Sequence, residues 1–514
     1  MAAVQCAGRG PGLTAPDVTS VDRADALVRD GCYGCLNRAS EVYAGALDRQ
    51  ARGSSARVLR GWYDATLLLA VRQKEIGIDA DATLARARAL LSRLRASAST
   101  QMSGSDLEIL LKAAEAVVGD VSGLDSEARA QRETGFDSTG ATSVRLDDAL
   151  PALAATSVVA AYLMQALDCE TPRDRRQTSA RRDPAPALSE LPLMRYRVAI
   201  CSSGQPLALA RLREENPDWI ETLYFEATYE MGSPARPAEP ARAAPMLTRV
   251  AEVFQESVAI HLMLARAEEM NGEFAPALSS FDHILALQPT HVDARLGRVR
   301  NLTFLSRADE AITAATILIE AGTWHVGEAY YWRAWDQYLA QRLEPAWSDV
   351  QNALRLLANT SVYALAGSIA YARKDLDTAT HHFDAAVQMD PTNCAAASSA
   401  GLVQVDRRAW LLAAEKYSTA TRCFALTAQT ALADLERLER SALDPAVKAA
   451  RLSTARKRLE SAEELGGRTA LSAAEGYIHA DRASQALTYI ELAERHPATR
   501  DDARALRARV AGVQ

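Results

Sequence analysis

The residues best able to do chemistry are sparse. There are seven cysteines, Cys6, Cys32, Cys35, Cys169, Cys201, Cys394 and Cys423, and eight histidines, His261, His283, His291, His325, His381, His382, His479 and His496. The tightest cysteine pair is CYGC at 32–35. Haem attachment needs a histidine directly after the second cysteine, where Leu36 stands. Zinc needs a second ligand pair, and no Cys or His is close in sequence. A thioredoxin-type dithiol follows a strand in an α/β fold. The pair is read as two small apolar residues on a helix or its leading turn, with a disulfide between them the alternative. Seven is odd, which excludes complete intramolecular pairing, and no disulfide framework is implied. None of the histidines opens an H-E-x-x-H pattern, and the neighbours His381 and His382 point about 100° apart on a helix. There is no G-x-S-x-G, no glycine-rich phosphate loop and no paired-carboxylate signal. The expectation is a chain without catalytic activity, cofactor or metal.

What recurs in the sequence is a spacing. The stretch NGEFAPALSSFDHILALQP at 271–289 puts Ala277, Phe281 and Ile284 at intervals of four and three, on one helical face. Gly272, five residues before Ala277, marks a turn, and Pro289 marks the approach of the next helix. Counting from Ala277, equivalent alanines follow at Ala311, Ala346, Ala379 and Ala413, in steps of 34, 35, 33 and 34 residues. Four residues after each stand Phe281, Ala315, Val350, Phe383 and Tyr417; seven after stand Ile284, Leu318, Ala353, Ala386 and Ala420. None of these is polar, so each second helix has a stripe to bury. The stretch KDLDTATHHFDAAVQMDPTN at 374–393 repeats the phrase closely, with Asp375 read as the counterpart of the turn glycine and Pro391 as that of Pro289.

At these residues the chain resembles the tetratricopeptide repeat family, whose unit of about 34 residues is a pair of antiparallel helices. The resemblance implies an all-α fold, a right-handed superhelical solenoid of antiparallel helix hairpins. Weaker copies lie at Ala243, Leu247 and Val250 and at Ala486, Ile490 and Ala493, with a further trace at Ala39, Tyr43 and Ala46. Composition agrees: 48% hydrophobic and 24% charged residues suit a globular or solenoid protein, and no sustained strand alternation occurs. Ten of the 19 prolines fall between Pro172 and Pro245 and interrupt the helices there. The expected organisation is a flexible leader (1–20), an irregular helical region with one divergent repeat (21–170) and a proline-rich joint (171–217). A tetratricopeptide-like array (218–425) follows, then a long helical hairpin split at Asp444–Pro445 (426–465), and a C-terminal repeat with a capping helix (466–514).

In the family it resembles, the first helices of successive hairpins line the inner side of the array and hold a peptide or a partner's helix. Eleven residues before the markers stand Arg266, Arg300, Trp335 and Ser368. Tyr331 and Tyr338, four before and three after Trp335, share its helical face. The candidate binding residues are therefore Arg266, Arg300, Tyr331, Trp335 and Tyr338. Guanidinium groups fork carboxylates and aromatic rings anchor apolar side chains, so an acidic or C-terminal peptide is the expected ligand. Two other readings stay open: the aromatics pack on the neighbouring hairpin, and the arginines pair with Glu269 or Asp293. The carboxylate clamp of chaperone-binding members is not reproduced, since Leu262 and Leu296 stand where polar groups would be needed. The expected function is a non-enzymatic scaffold for a protein or peptide. The alternative is a helical carbohydrate-capture protein of a bacterial surface, with Trp and Tyr as sugar platforms.

A formal charge of -7 and the lack of a basic stripe give no sign of a nucleic-acid partner. The densest basic run, with Arg173, Arg175, Arg176, Arg181 and Arg182, is read as a solvated loop. No window approaches a membrane span. Cys6, between a short Ala/Val stretch and a Gly/Pro-rich leader, resembles the mature start of a bacterial lipoprotein, although Gln5 does not fit that pattern. This suggests a lipid anchor and a periplasmic or envelope location, with the cytoplasm the alternative. Nothing in the sequence fixes the oligomeric state. The marker alanines give a direct test: Ala379→Phe should overpack the hairpin and cost about 1–3 kcal/mol. A thermal unfolding curve identical to that of the unaltered chain would show that the register is wrong.

Overall fold

The computed structural model describes residues 21–49, 55–97, 104–119, 150–170, 186–201, 206–232, 238–440 and 445–513. No strand occurs among them, so the protein is all-α. The leader with Cys6, the basic run at 171–185, the segment 233–237 and the residues 441–444 lie outside the described residues. The chain divides into two compact units, Met1–Glu273 and Phe274–Gln514, and each is taken by itself.

The first unit contains α1 (Val21–Asp30), α2 (Tyr33–Arg49), α3 (Ser55–Glu75), α4 (Asp81–Ala96), α5 (Gly104–Gly119) and α6 (Val158–Glu170). These are followed by α7 (Pro186–Ser189), α8 (Pro192–Cys201), α9 (Pro206–Glu215), α10 (Thr222–Glu230), α11 (Pro240–Val253) and α12 (Val258–Met270). The trace at Ala39, Tyr43 and Ala46 is buried. Gly61 of α3 lies so close to it that a Cβ there would stand 2.5 Å from Tyr43 Cζ. The copy at Ala243, Leu247 and Val250 is fully buried on α11.

Charge is buried at the centre of this unit. Arg72 and Glu75 are one helical turn apart on α3, and Arg72 has no exposed surface. Its guanidinium donates to Glu75 and to Glu221, at 2.6 Å each, and lies 3.7 Å over the Tyr196 ring. Arg197 and Tyr162 donate to Glu75 at 2.5 and 2.6 Å. Glu221 also accepts the backbone N–H of Tyr33, at 2.8 Å. Four chain segments far apart in sequence thus share two carboxylates.

Tyr33 stands between the cysteines of CYGC, and these are bonded to each other. Of the two readings of Cys32 and Cys35 the disulfide is the one that holds, and both residues are buried as well. Cys32 immediately precedes α2, and its Sγ accepts the Cys35 N–H at 3.0 Å, so the sulfur also caps the helix. Cys394 and Cys423 form a second disulfide, and Cys201 is disulfide-bonded as well, pairings that the cysteine count alone did not imply.

The second unit contains α13 (Phe274–Leu287), α14 (Val292–Phe304), α15 (Ala308–Glu320), α16 (Val326–Leu339), α17 (Leu343–Leu356), α18 (Thr360–Ala372), α19 (Leu376–Met389) and α20 (Cys394–Asp406). The long helices α21 (Trp410–Arg440) and α22 (Pro445–His479), then α23 (Ala483–Glu494) and α24 (Arg500–Val513), complete it. Each helix packs on the next, and α14, α16, α18 and α20 also touch in sequence, side by side. All five marker alanines have no exposed surface, and the positions four and seven residues on are buried too. The methyl-sized marker lets paired helices close, and glycine does the same opposite the aromatics. A Cβ on Gly367 would lie 2.8 Å from the Phe383 ring, and one on Gly401 2.9 Å from Tyr417.

The turn inside each hairpin has one form. The residue five before the marker is left-handed at Ser306, Gln341, Lys374, Arg408 and Asp481, with φ between 57° and 64°. The following N–H closes back onto the helix, as in Arg342 N to Gln337 O at 2.8 Å and Asp375 N to Ala370 O at 2.9 Å. Lys374, and not Asp375, therefore holds the place of the turn glycine. Asp375 instead caps α19, accepting the Thr378 N–H at 3.1 Å. A side chain in the left-handed region costs about 1 kcal/mol or more. Gln341→Gly should therefore raise stability by about 0.5–1 kcal/mol in chemical denaturation, and a loss of stability would count against the turn geometry.

Candidate peptide-binding face

In α14, α16, α18 and α20 the positions 15, 11, 8 and 7 residues before the markers fall on one helical face, because position 11 lies four residues from both 15 and 7 and three from 8. On α14 they are Leu296, Arg300, Thr303 and Phe304; on α16, Tyr331, Trp335, Tyr338 and Leu339. On α18 they are Ala364, Ser368, Tyr371 and Ala372; on α20, Ser398, Leu402, Val405 and Asp406. The face is apolar and aromatic, with small residues on α18.

The structure brings three of the five sequence candidates together. Tyr331, Trp335 and Tyr338 lie half-buried against a core that includes Ala334, Ala346, Val350 and Leu365. Tyr331 and Trp335 have ring centres 6.3 Å apart. The reading in which the aromatics pack on neighbouring helices therefore holds in part, each ring being half-buried and half-exposed. Burial raises the Tyr331 phenol above its ordinary range. Arg300 is half-buried on α14, in the second unit. Arg266 is exposed on α12 and belongs to the first unit, where its charge acts on the Tyr224 phenol.

Sequence reasoning missed the continuation of the aromatic cluster. Phe304 is 48% exposed, yet it stacks on Phe274 at 4.5 Å and meets the edge of Trp332 at 5.6 Å, while Trp332 meets Tyr331 at 5.1 Å. Leu339 and Leu402 are 54% and 42% exposed on the same face. Phe304 and Leu339 stand seven residues before Ala311 and Ala346, but the equivalent positions at Ala379 and Ala413 are Ala372 and Asp406, so no repeated spacing marks the cluster.

Several charges near this face are engaged within the protein. Arg333 of α16 forks Asp349 of α17 with two bonds of 2.7 Å, which holds its guanidinium charged above the usual range. His325 reaches Asp293 at 3.0 Å and Glu328 at 2.8 Å, and its ring lies 3.6 Å from that of the exposed Trp324. Asp406 accepts the Tyr371 hydroxyl at 2.8 Å. His382 is wedged beside Trp347 and Tyr363, where burial, then His381, holds its pKa down. Among the described residues no group of three or more His, Cys, Asp or Glu could hold a metal ion, and no helix is long and apolar enough to cross a membrane.

Beneath the face sits one carboxylate with little support. Asp336 is 1% exposed, and Thr303 Oγ1, at 2.8 Å, hydrogen-bonds its Oδ2. Burial pushes its pKa up to about 6, against the pull of that hydrogen bond. Because the folded state raises this pKa from 3.8, its stability contribution is complete below about pH 4 and is lost as pH rises towards 6. Asp336→Asn should equal the unaltered chain at pH 4. It should exceed it by about 2–3 kcal/mol at pH 7 in urea unfolding. A difference independent of pH would show that Asp336 does not titrate in this range.

No protein-family model matches the chain, and no curated protein is similar to it at a significant level. Among solved structures, YrrB, described as a TPR protein with an unusual peptide-binding site, is 21% identical, covering 34% of this chain and 91% of its own, with a TM-score of 0.29. A tetratricopeptide repeat protein from Parabacteroides merdae is 13% identical over 59% of this chain and 98% of its own, with a TM-score of 0.32. Yeast Tom70 is 14% identical over 97% of this chain and 95% of its own, with a TM-score of 0.31. Superpositions this loose carry no weight of their own. The repeat type rests on the period, the buried alanines, the left-handed turns and the glycine–aromatic contacts, and by these the hairpins of the second unit are tetratricopeptide-like.

Proposed function

We propose that the protein is a non-enzymatic scaffold and that the face of α14, α16, α18 and α20 binds a protein or peptide segment. The observation that carries this reading is the half-buried aromatic cluster of Tyr331, Trp335 and Tyr338, continued by the exposed Phe304 and Leu339. Half-buried rings are already ordered, so docking an apolar side chain on them costs little conformational entropy. Arg300 is half-buried on this face in the second unit and is the candidate to meet a carboxylate of the ligand. The main anchor is therefore apolar, with acidity in the ligand a secondary preference. Arg266 is a separate candidate in the first unit. The carbohydrate alternative has no observation in its favour.

The test is selection of displayed peptides on the full chain, followed by binding kinetics of the enriched sequences. Trp335→Ala should weaken them by about 2 kcal/mol or more, mainly through faster dissociation. Truncation of Tyr331 or Tyr338 should have a smaller effect of the same kind. Arg300→Glu should lower the salt dependence and slow association, with helicity unchanged. Arg266→Glu asks the same of the first unit. Peptides that bind Trp335→Ala and Arg300→Glu as well as the unaltered chain would place binding on another surface.

A further inference from the structure

At least five of the seven cysteines are in disulfides, and the four whose pairing is described are nearly inaccessible. Cys32 is 0% exposed, Cys35 7%, Cys394 6% and Cys423 9%. Disulfide exchange needs a thiolate to reach a sulfur, so buried bonds of this kind resist it. A catalytic dithiol keeps one sulfur open to its substrate, and neither bond does.

The second bond has a position of mechanical interest. Cys394 is the first residue of α20, and Cys423 lies on α21 in a small cluster with Ala397, Ala420 and Phe424. The helices α21 and α22 run for 31 and 35 residues, against 13 or 14 for those from α13 to α20, so their far ends extend past the repeat. The bond fastens α21 to the preceding helix close to where that extension begins.

We infer that the chain folds and works in an oxidising compartment, with Cys394–Cys423 a structural clasp at the root of the long hairpin. Reducing compartments keep paired thiols reduced, and both compact units hold a buried disulfide. Each bond forms when two thiols give up two electrons and two protons to an oxidising disulfide, of a thiol oxidase or of glutathione, which leaves as two thiols. This inference is independent of the binding reading. Its consequence is that any partner is met outside a reducing cytosol.

The experiment isolates the full chain from its own host, denatures it in N-ethylmaleimide without reductant, and counts adducts by mass. One adduct, or three if only the two described bonds form, sustains the inference; five or seven overturns it. A second arm compares the Cys394→Ser/Cys423→Ser chain with the unaltered one in thermal unfolding. The clasp predicts a midpoint lower by about 5 °C or more, and earlier proteolysis between 424 and 463. Equal midpoints and equal cleavage would overturn the structural role of that bond whatever the adduct count.

Discussion

The second unit depends on one steric constraint, that the two helices of a hairpin meet at a side chain no larger than a methyl group. Ala277, Ala311, Ala346, Ala379 and Ala413 have no exposed surface, and Gly367 and Gly401 provide equally close contact for Phe383 and Tyr417. At such distances dispersion contacts are dense and an added methylene has nowhere to go. Once the second helix spends its apolar stripe on its partner, the first helix is held between neighbours and only one strip of it faces outward. The candidate face is thus a by-product of the packing rule.

That rule is why the fold was legible in the sequence. A requirement met every 33 to 35 residues leaves a mark that composition does not blur, and the fifteen positions it named are all buried. The turn was misread by one residue at 374–375, because glycine is the usual sign of a left-handed residue and five turns here use Ser, Gln, Lys, Arg or Asp. In those turns the closing hydrogen bonds and the helix pair determine the conformation, so residue type says little. Tyr331, Trp335 and Tyr338 could be grouped from sequence because one helix fixes their relation. Phe304 could not, since its contacts with Phe274 and Trp332 join three helices. The Cys394–Cys423 pair was equally hidden. A separation of 29 residues has no meaning until the repeat register folds α21 back on α20.

The two units treat buried charge differently. In the first, Arg72 and Arg197 share Glu75, and Glu221 takes a second bond from Arg72 and one from the Tyr33 backbone. Glu221 still keeps one oxygen without a hydrogen-bond partner. Removing one member of such a set would strand its counter-charge, at a cost of about 3–5 kcal/mol, which is far more than any exposed pair contributes. The sequence showed these residues only as ordinary charged positions of amphipathic helices, and their burial is a tertiary fact. In the second unit Asp336 has no counter-ion among the described residues, and burial favours its neutral form.

These features bear on how a partner would be recognised. On the face of the second unit the aromatic rings hold fixed positions, and the flanking polar groups of Arg333, His325 and Asp406 are already engaged by partners within the protein. Long-range steering from such a surface is weak, so discrimination must come from the shape of the apolar contact and appear in the dissociation rate. That mode rewards a rigid frame, because each side chain already ordered before binding removes an entropic cost from it. Small buried markers, closed turns and a disulfide at the root of the long hairpin all act to the same end. They make the frame stiff, and with it the half-buried rings between Phe304 and Leu402.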